Sequence, residues 1–207
     1  VIYPDNLDDL CCGMPFQSKG MFEAADSKAK QTEAALLAAS NDGQHPIYSD
    51  TSPCTLRMKE SVDPRLQIFE PIQFIQQFAL EQLQITPVTE PIALHITCSS
   101  SRMGLAEGLV KLAKTCAQEV IIPDQITCCG FAGDKGFSTP ELNESALRTL
   151  KDSLPENCHE GFSTSRTCEI GLSYHSGIEY KSIVYLVERC STPRDNSPIA
   201  NHNKEQD

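Results

Sequence analysis

The sequence predicts an α/β protein made of two pseudo-symmetric lobes, each with parallel sheets flanked by helices. Three observations predict this fold: β-branched segments alternate with helical ones, the alternation occurs twice, and each round contains a Cys-Cys-Gly triplet. Strands that alternate with helices favour right-handed crossovers and parallel sheets. The predicted units are a first lobe at residues 1–88 and a second lobe at 89–190, with a linker at 88–91. The polar, proline-containing tail at 191–207 is expected to be disordered.

An internal repeat carries the two-lobe prediction. Residues 11–20 align with residues 128–137, and both segments begin with Cys-Cys-Gly. Downstream, Cys54 and Cys168 each stand at the start of a helical stretch that leads to an apolar segment about a dozen residues later. Self-similarity of this extent indicates two copies of one supersecondary unit.

The first copy lacks a front half that the second copy has. Residues 1–5 align with 120–124, and each segment predicts a short β-branched strand stopped by proline. Only the second copy has the preceding strand at 92–98 and helix at 104–117. We therefore expect the first lobe to be truncated at its N-terminus, so that residues 1–3 form an uncovered apolar edge suited to homodimerisation. The alternative is an intact protein whose first half is degenerate.

Helical spacing of the apolar residues predicts the longer helices. They are expected at residues 20–39, 71–83, 104–117 and 140–154.

Composition and charge exclude several classes of function. Of the 207 residues, 40% are hydrophobic and 22% are charged, which is typical of a globular protein. No apolar run approaches the roughly 20 residues needed to cross a bilayer, and no basic and apolar leader opens the sequence. The net charge of −11 argues against nucleic acid as a partner, because binding a phosphate backbone requires an excess of lysine and arginine.

The ten cysteines are the strongest functional signal in the composition. A disulfide framework is typical of short secreted chains, whereas this sequence is long. Two of the sites are adjacent pairs, Cys11-Cys12 and Cys128-Cys129, and neighbouring cysteines rarely bridge each other without strain. Metal ligation, cluster ligation or redox chemistry is the favoured interpretation.

The positions of the cysteines predict one site in each lobe. The second copy has four cysteines at strand ends or helix starts: Cys98, Cys128, Cys129 and Cys168. The first copy has three: Cys11, Cys12 and Cys54. Because the ends of parallel strands meet at one edge of a sheet, we expect the four sulfur atoms of the second copy to converge. Ligation of a cubane cluster requires them to lie within about 6–7 Å of one another.

The remaining cysteines and two histidines are weaker candidates. Cys116, Cys158 and Cys190 are interpreted as structural residues, since none has a counterpart in the other copy. His95 either tunes a metal site or is a hydrogen-bonded core residue, and His175 follows the Cys168 helix and could approach the same site.

The two Cys-Cys-Gly units resemble the cysteine-rich CCG domain found in heterodisulfide reductase and in the iron–sulfur component of glycolate oxidase. The segments 128–137 and 163–171 are most similar to the C-terminal region of bacterial flavin-dependent D-lactate dehydrogenase or D-2-hydroxyglutarate dehydrogenase. The resemblance covers about residues 1–190. The pattern usually ends each copy with Cys-x-x-Cys, but Thr51 and Ser165 replace the first cysteine here.

The resemblance implies an iron–sulfur electron-transfer domain. A [4Fe–4S] cluster would be held by the four cysteines of the second copy, while a zinc site or an empty site stays open because each copy has at most four ligands. FAD would bind to an upstream part of the same polypeptide, together with ferredoxin-like domains, and electrons would pass to a quinone or another respiratory acceptor. No residue here is a convincing catalytic group, so the fragment alone is expected to be inactive. The expected location is the cytoplasm, with peripheral attachment to the inner membrane face as an alternative.

Two other classes of function remain open from the residues. The adjacent cysteines are compatible with a thiol or heterodisulfide reductase-type catalyst. A set of four cysteines is also typical of a structural zinc-binding domain that mediates assembly.

Overall fold

The structure is a computed structural model that describes residues 1–194. It confirms the predicted α/β class, with parallel sheets flanked by helices. None of the helices in this part of the chain is both long and apolar enough to cross a lipid bilayer.

A four-stranded parallel sheet forms the centre of the second lobe. Its strands are β4 (Ile92–Leu94), β5 (Val120–Ile121), β6 (Glu160–Ser163) and β7 (Glu179–Ser182), in the order β5-β4-β6-β7. Ala93 pairs with Ile121 on one side and with Gly161 on the other. All three residues of β4 are fully buried, as expected for a central parallel strand covered on both faces.

Six helices connect and cover this sheet. They are α5 (Cys98–Arg102), α6 (Ala106–Cys116), α7 (Lys135–Ser138), α8 (Pro140–Leu147), α9 (Arg166–Ser176) and α10 (Ile183–Arg189). Helix α6 buries Leu109, Leu112 and Ala113, which lie on one face because residues three and four positions apart are neighbours on a helix.

The first lobe has the same plan with fewer strands. Its helices are α1 (Met14–Gln17), α2 (Phe22–Ala39), α3 (Ser52–Ser61) and α4 (Pro71–Phe74). Strands β1 (Ile47–Tyr48) and β2 (Ile68–Phe69) pair in parallel, with Ile47 opposite Ile68. Helix α4 continues as a π-helical turn at Ile75–Ala79 and a 3-10 turn at Leu80–Gln82, so the predicted helix at 71–83 is one helical segment with changing winding.

The hydrophobic core is continuous across the predicted lobe boundary. Ile72 and Ile75 of the first lobe belong to the same buried cluster as Ile92 and Leu109 of the second. Val88 donates its backbone N–H to Cys116 O at 2.9 Å and is therefore tied to the second lobe. The division at residue 88 stays a prediction.

Two predictions about the chain ends need correction. Ser191–Pro193 forms β8, which pairs antiparallel with β3 (Leu83–Ile85), so the tail is ordered at least to this point. Residues 195–207 lie outside the described part. Residues 1–3 do not form the predicted strand. A strand needs a hydrogen-bonded partner, and no described strand lies beside these residues. Val1, Ile2 and Tyr3 are exposed at 113%, 70% and 72%, which matches the expected uncovered apolar edge.

One predicted helix ends early. Helix α8 stops at Leu147 rather than at residue 154, and a turn leads to a 3-10 helix at Lys151–Ser153. The turn allows Leu150 to be fully buried together with Leu147.

Candidate functional site

The Cys128-Cys129-Gly130 turn lies between the loop after β5 and helix α8. Gly130 has φ of +78°, a left-handed conformation that glycine adopts without strain. A Cβ atom there would lie 2.8 Å from the backbone C of Leu142, so only glycine lets the turn pack against α8. The Gly130 N–H donates to Cys128 Sγ at 3.3 Å, and the Asn143 side-chain amide donates to Cys129 O. These contacts hold the turn, and with it the sulfur atoms of Cys128 and Cys129, in place.

The four predicted cysteines of the second lobe lie together. Cys129 Sγ and Cys168 Sγ are 2.8 Å apart. Cys98 and Cys128 shift each other's pKa, as do Cys128 and Cys129, so the members of each pair are neighbours. We call these four residues the second-lobe thiol cluster. The loops after β4, β5 and β6 bring them to the same edge of the sheet, as the topology predicts.

The donor set of this cluster fits a [4Fe–4S] centre, since four cysteine thiolates are its usual ligands. The sulfur spacing, in contrast, is closer than the separation around a cubane. Within residues 1–194, no group of three or more His, Cys, Asp or Glu side chains stands at metal-binding geometry. A cluster would therefore require the side chains to turn outward, and metal ligation at these residues stays a prediction.

Hydrogen bonds within the cluster polarise its thiols. Donation from Cys129 and then from Cys98 holds the pKa of Cys128 far below its usual range. The same bonds raise the pKa of Cys129, through Cys128 and Cys168, and the pKa of Cys98, through Cys128. The physical cause is that thiols donating to one sulfur stabilise a single thiolate there. The arrangement favours one anionic sulfur, at Cys128.

The cluster is half inside the protein and half at its surface. Cys129 and Cys168 are only 4% and 5% exposed, whereas Cys98 and Cys128 are exposed. Bound metal would thus have a protected inner side and an outer side that a partner or a small molecule can approach.

The histidines occupy different environments. His95 is buried on the strand side of the cluster, where its Nδ1 lies 3.1 Å from Ser163 Oγ. Burial lowers the pKa of His95 to about 4, although the nearby Cys128 acts in the opposite direction. His175 packs edge-to-face against Tyr174, with ring centroids 5.0 Å apart.

The first-lobe site repeats the local geometry of the second. Gly13 has φ of +86°, and a Cβ there would lie 3.0 Å from the backbone C of Ala25 in α2. The Gly13 N–H donates to Cys11 Sγ at 3.4 Å, and Thr32 Oγ1 donates to Cys11 O at 2.9 Å. Each Cys-Cys-Gly turn therefore packs against the backbone of the second helix after it, α2 in the first lobe and α8 in the second.

Cys12 and Cys54 are neighbours, and we call them the first-lobe thiol pair. The interaction with Cys54 lowers the pKa of Cys12 to about 7, against an opposing effect of burial. The positive charge of Arg57 contributes to the same lowering. Arg57 is 7% exposed and forms an ion pair with Asp26 at 2.6 Å. Arg57 was not identified from the sequence, where a single arginine on a helix gives no distinctive signal.

A buried polar network joins the two sites. Ser52 Oγ lies 2.6 Å from both Glu70 Oε1 and Thr164 Oγ1, and 3.0 Å from Ser100 Oγ. Glu70 is fully buried and accepts the N–H of Ile72 at 2.7 Å. Burial raises the pKa of Glu70, while the hydrogen bond from Ser52 opposes the rise. This network is not predictable from the sequence, where the Glu-Pro step after β2 is its only local signal.

The two Cys-Cys-Gly loops also meet directly. Lys19 Nζ and Asp134 Oδ2 form an ion pair at 2.6 Å, and a Cβ on Gly133 would lie 3.2 Å from Ser18 Oγ. The repeat therefore places both cysteine sites on neighbouring parts of one molecule.

The three cysteines interpreted as structural are buried in the core. Cys116 and Cys190 are neighbours within the main core cluster. Cys158 is buried and contacts Glu160 O through its sulfur at 3.6 Å.

The fold and the thiol cluster together define a cysteine-rich α/β domain. Residues 92–172, from β4 into α9, match the family described as CCG, a cysteine-rich domain. This stretch contains all four residues of the second-lobe thiol cluster.

Sequence comparison also identifies a distant relative. The chain is 24% identical over 155 residues to the uncharacterized protein YkgE of Escherichia coli strain K12. The match covers 67% of this chain and 63% of YkgE, so the chain spans less than two thirds of the length of that relative.

Proposed function

We propose that this protein is an iron–sulfur electron-transfer module of an oxidoreductase. Its cluster ligands are Cys98, Cys128, Cys129 and Cys168. The observation that carries the proposal is that cysteines from three separate loops come together at one edge of the sheet, which a structural role alone does not require. A [4Fe–4S] group bound there would supply one-electron redox chemistry.

The residues of the chain have distinct roles in this proposal. Cys129 and Cys168 bind from the inner side, where burial limits the access of water. Cys98 and Cys128 bind from the outer side and leave it open to an electron partner. The Gly130 N–H, which donates to Cys128 Sγ, stabilises the negative charge on that sulfur. Such amide–sulfur bonds and burial are the means by which a protein sets the potential of a cluster.

The resemblance of residues 128–137 and 163–171 supports a more specific proposal. The parent enzyme is a flavin-dependent D-2-hydroxy-acid dehydrogenase of the D-lactate dehydrogenase type, in which FAD oxidises the substrate upstream. This domain passes the electrons towards a quinone or another respiratory acceptor. Turnover of D-lactate by the full-length parent, with loss in a Cys168→Ala variant, tests this assignment separately from iron binding.

A second candidate is thiol–disulfide chemistry at the first lobe. The lowered pKa of Cys12, at about 7, and its contact with Cys54 favour it. Oxidation of this pair to a disulfide would release two electrons and two protons, which reduce a disulfide substrate to two thiols. Reduction of a small disulfide by the chain, lost in Cys54→Ala, would support this alternative.

Iron analysis tests the main proposal. We expect anaerobically prepared full chain to contain about four iron and four sulfide ions and to give a paramagnetic signal on reduction. Cys168→Ala should lose this iron. The matched control is Cys158→Ala, since both cysteines are buried in the same core cluster and only Cys168 contacts another cysteine there. Stoichiometric zinc without iron, or full iron retention in Cys168→Ala, contradicts the proposal.

A further inference from the structure

A buried carboxyl group lies where four helices begin. Glu70 is the N-cap of α4, and its side chain accepts the N–H of Ile72. The hydroxyl groups around it come from the starts of three further helices. Ser52 is the first residue of α3, Thr97 is the N-cap of α5, and Thr164 stands two residues before α9. We call the following five residues the Glu70 network: Ser52, Glu70, Thr97, Ser100 and Thr164.

Hydrogen bonds connect all five side chains of the Glu70 network. Ser52 Oγ lies 2.6 Å from both Glu70 Oε1 and Thr164 Oγ1. Thr97 Oγ1 lies 2.8 Å from Ser100 Oγ and 3.2 Å from Thr164 Oγ1. All five residues are fully buried. Buried polar groups need partners, and here each of them finds its partners within the network.

Three of the four helices carry a cysteine of the two sites in their first turn. Cys98 is the first residue of α5, Cys54 is the third of α3, and Cys168 is the third of α9. The backbone reinforces the connection between lobes, since the Ser52 N–H donates to Thr164 O at 2.9 Å. The Glu70 network therefore joins the helix starts that place cysteines of both lobes.

The number of protons shows how Glu70 takes part in the network. A serine hydroxyl has one proton, so Ser52 donates in only one of its two 2.6 Å bonds. When Ser52 donates to Thr164, the carboxyl group of Glu70 donates to Ser52. Burial raises the pKa of Glu70, which favours this protonated form. The chain of donors then runs from Glu70 through Ser52 to Thr164.

We propose that Glu70 is a positioning residue for the cysteines of both lobes. Its carboxyl group holds the first turns of α3, α5 and α9 in one arrangement, so that Cys54, Cys98 and Cys168 keep their places. The link to cluster ligation rests on the proposed electron-transfer function. The positioning itself is measured on iron-free chain. Iron content therefore decides the electron-transfer proposal, and the protection of individual thiols decides this one.

Alkylation of individual cysteines measures the positioning. The iron-free full chain, with its thiols kept reduced, is treated with iodoacetamide, and each cysteine is followed by mass spectrometry of its peptide. Glu70→Met keeps a side chain of similar length but removes both carboxyl oxygens. We expect about tenfold faster alkylation of both Cys54 and Cys168, because a lost buried hydrogen bond makes local opening more frequent.

Two comparisons separate positioning from packing. Cys116 and Cys190 are buried in the main core cluster, so they report a general loss of stability and should keep their rates. Glu70→Gln should restore the rates of the unmodified chain. Its amide oxygen can accept the N–H of Ile72, and its amide N–H can donate to Ser52, as the protonated carboxyl group does. A side chain that only fills space would give the same rates with methionine as with glutamine.

A pair of serine variants keeps the test decisive if Glu70→Met does not fold. Ser52→Ala removes one hydroxyl from the network and should accelerate alkylation of Cys54 and Cys168 by about fivefold. Ser61→Ala is the matched control, because Ser61 lies in the same helix but donates to Arg57 O at 2.7 Å; it should change neither rate.

Four outcomes overturn the proposal. They are unchanged rates in Glu70→Met or Ser52→Ala, acceleration in one lobe only, equal acceleration of the core cysteines, and a Glu70→Gln variant that behaves like Glu70→Met.

Discussion

The two lobes have the same Cys-Cys-Gly turn but bring different numbers of cysteines to it. In both turns a glycine with positive φ packs against the second helix that follows, and its N–H donates to the first cysteine. The second lobe adds a cysteine from the loop after β4, and the described part of the first lobe has no equivalent strand. Its thiol pair lies near Arg57 instead.

This difference shows that the motif determines the geometry of the turn, whereas the fold determines how many cysteines reach it. The turn geometry depends on a few neighbouring residues and is reproduced in both lobes. The number of cysteines at the site depends on how many strands end there. A Cys-Cys-Gly triplet therefore provides two neighbouring cysteines, and the surrounding sheet decides whether four come together.

The largest difference between the lobes is expected in how a cysteine substitution changes the iron content. Cys168→Ala should remove bound iron, whereas Cys54→Ala should leave it near the level of the unmodified chain, because the first lobe supplies only three cysteines. Both variants change the cysteine at the start of a helix, so they form a matched pair. Equal iron loss in the two variants would show that the lobes share the metal.

The glycine turns should respond alike in both lobes. Gly13→Ala and Gly130→Ala would place a Cβ against a helix backbone, and alanine is also strained at the positive φ of these positions. We therefore expect each variant to lose about 3 kcal/mol in the free energy of unfolding. Gly20→Ala and Gly104→Ala serve as controls: their φ is also positive, but nothing lies within 4 Å of the added Cβ. They should lose only about 1 kcal/mol in urea unfolding.

If the control substitutions cost as much as Gly13→Ala and Gly130→Ala, backbone strain alone explains the effect. Close packing of the turn on the helix would then not be what requires glycine.

Acid should destabilise the protein through the second lobe. Burial lowers the pKa of His95 from 6.5 to about 4, so between these values the unfolded chain binds a proton that the folded chain does not. The free energy of unfolding therefore falls as the pH drops from 6.5 to 4, by about 3 kcal/mol from this residue. Urea unfolding at several pH values should show a shallower acid dependence in His95→Gln. The same change at the exposed His159 should leave the profile unaltered, and an unchanged profile in His95→Gln would contradict the assignment.

The smallest effect is expected where the two loops meet. Lys19 and Asp134 are 46% and 34% exposed, so their ion pair should contribute less than about 1 kcal/mol. A double-mutant cycle with Lys19→Met and Asp134→Asn should give a coupling that weakens in high salt. A coupling that salt does not affect would mean that the contact is not mainly electrostatic.

The sequence predicts the second lobe better than the first. The apolar strand at residues 92–94 and the periodic helix α6 give strong local signals, and both occur within the predicted ranges. Residues 1–3 have the composition of a strand, yet strand formation needs a partner and the described structure provides none. Ser191–Pro193 shows the reverse case, since a polar segment becomes a strand because β3 lies beside it.

The candidate site was partly predictable for the same reason. Repeat alignment placed six of the seven cysteines at matching positions, and the proximity of Cys129 to Cys168 and of Cys12 to Cys54 follows that placement. The Glu70 network depends on residues distant in sequence that meet only in the folded protein. The spacing of residues along the sequence does not predict such tertiary contacts.

The pairing of β3 with β8 has a consequence for how the molecule unfolds. Strand β8 follows the last helix of the second lobe, and it pairs with β3, which lies just before the predicted lobe boundary; Arg194 N–H also donates to Gln82 O at 2.9 Å. The connection between the lobes is therefore part of the shared core rather than a free hinge. Heat should melt the two halves in one calorimetric transition, with a van't Hoff enthalpy equal to the measured enthalpy.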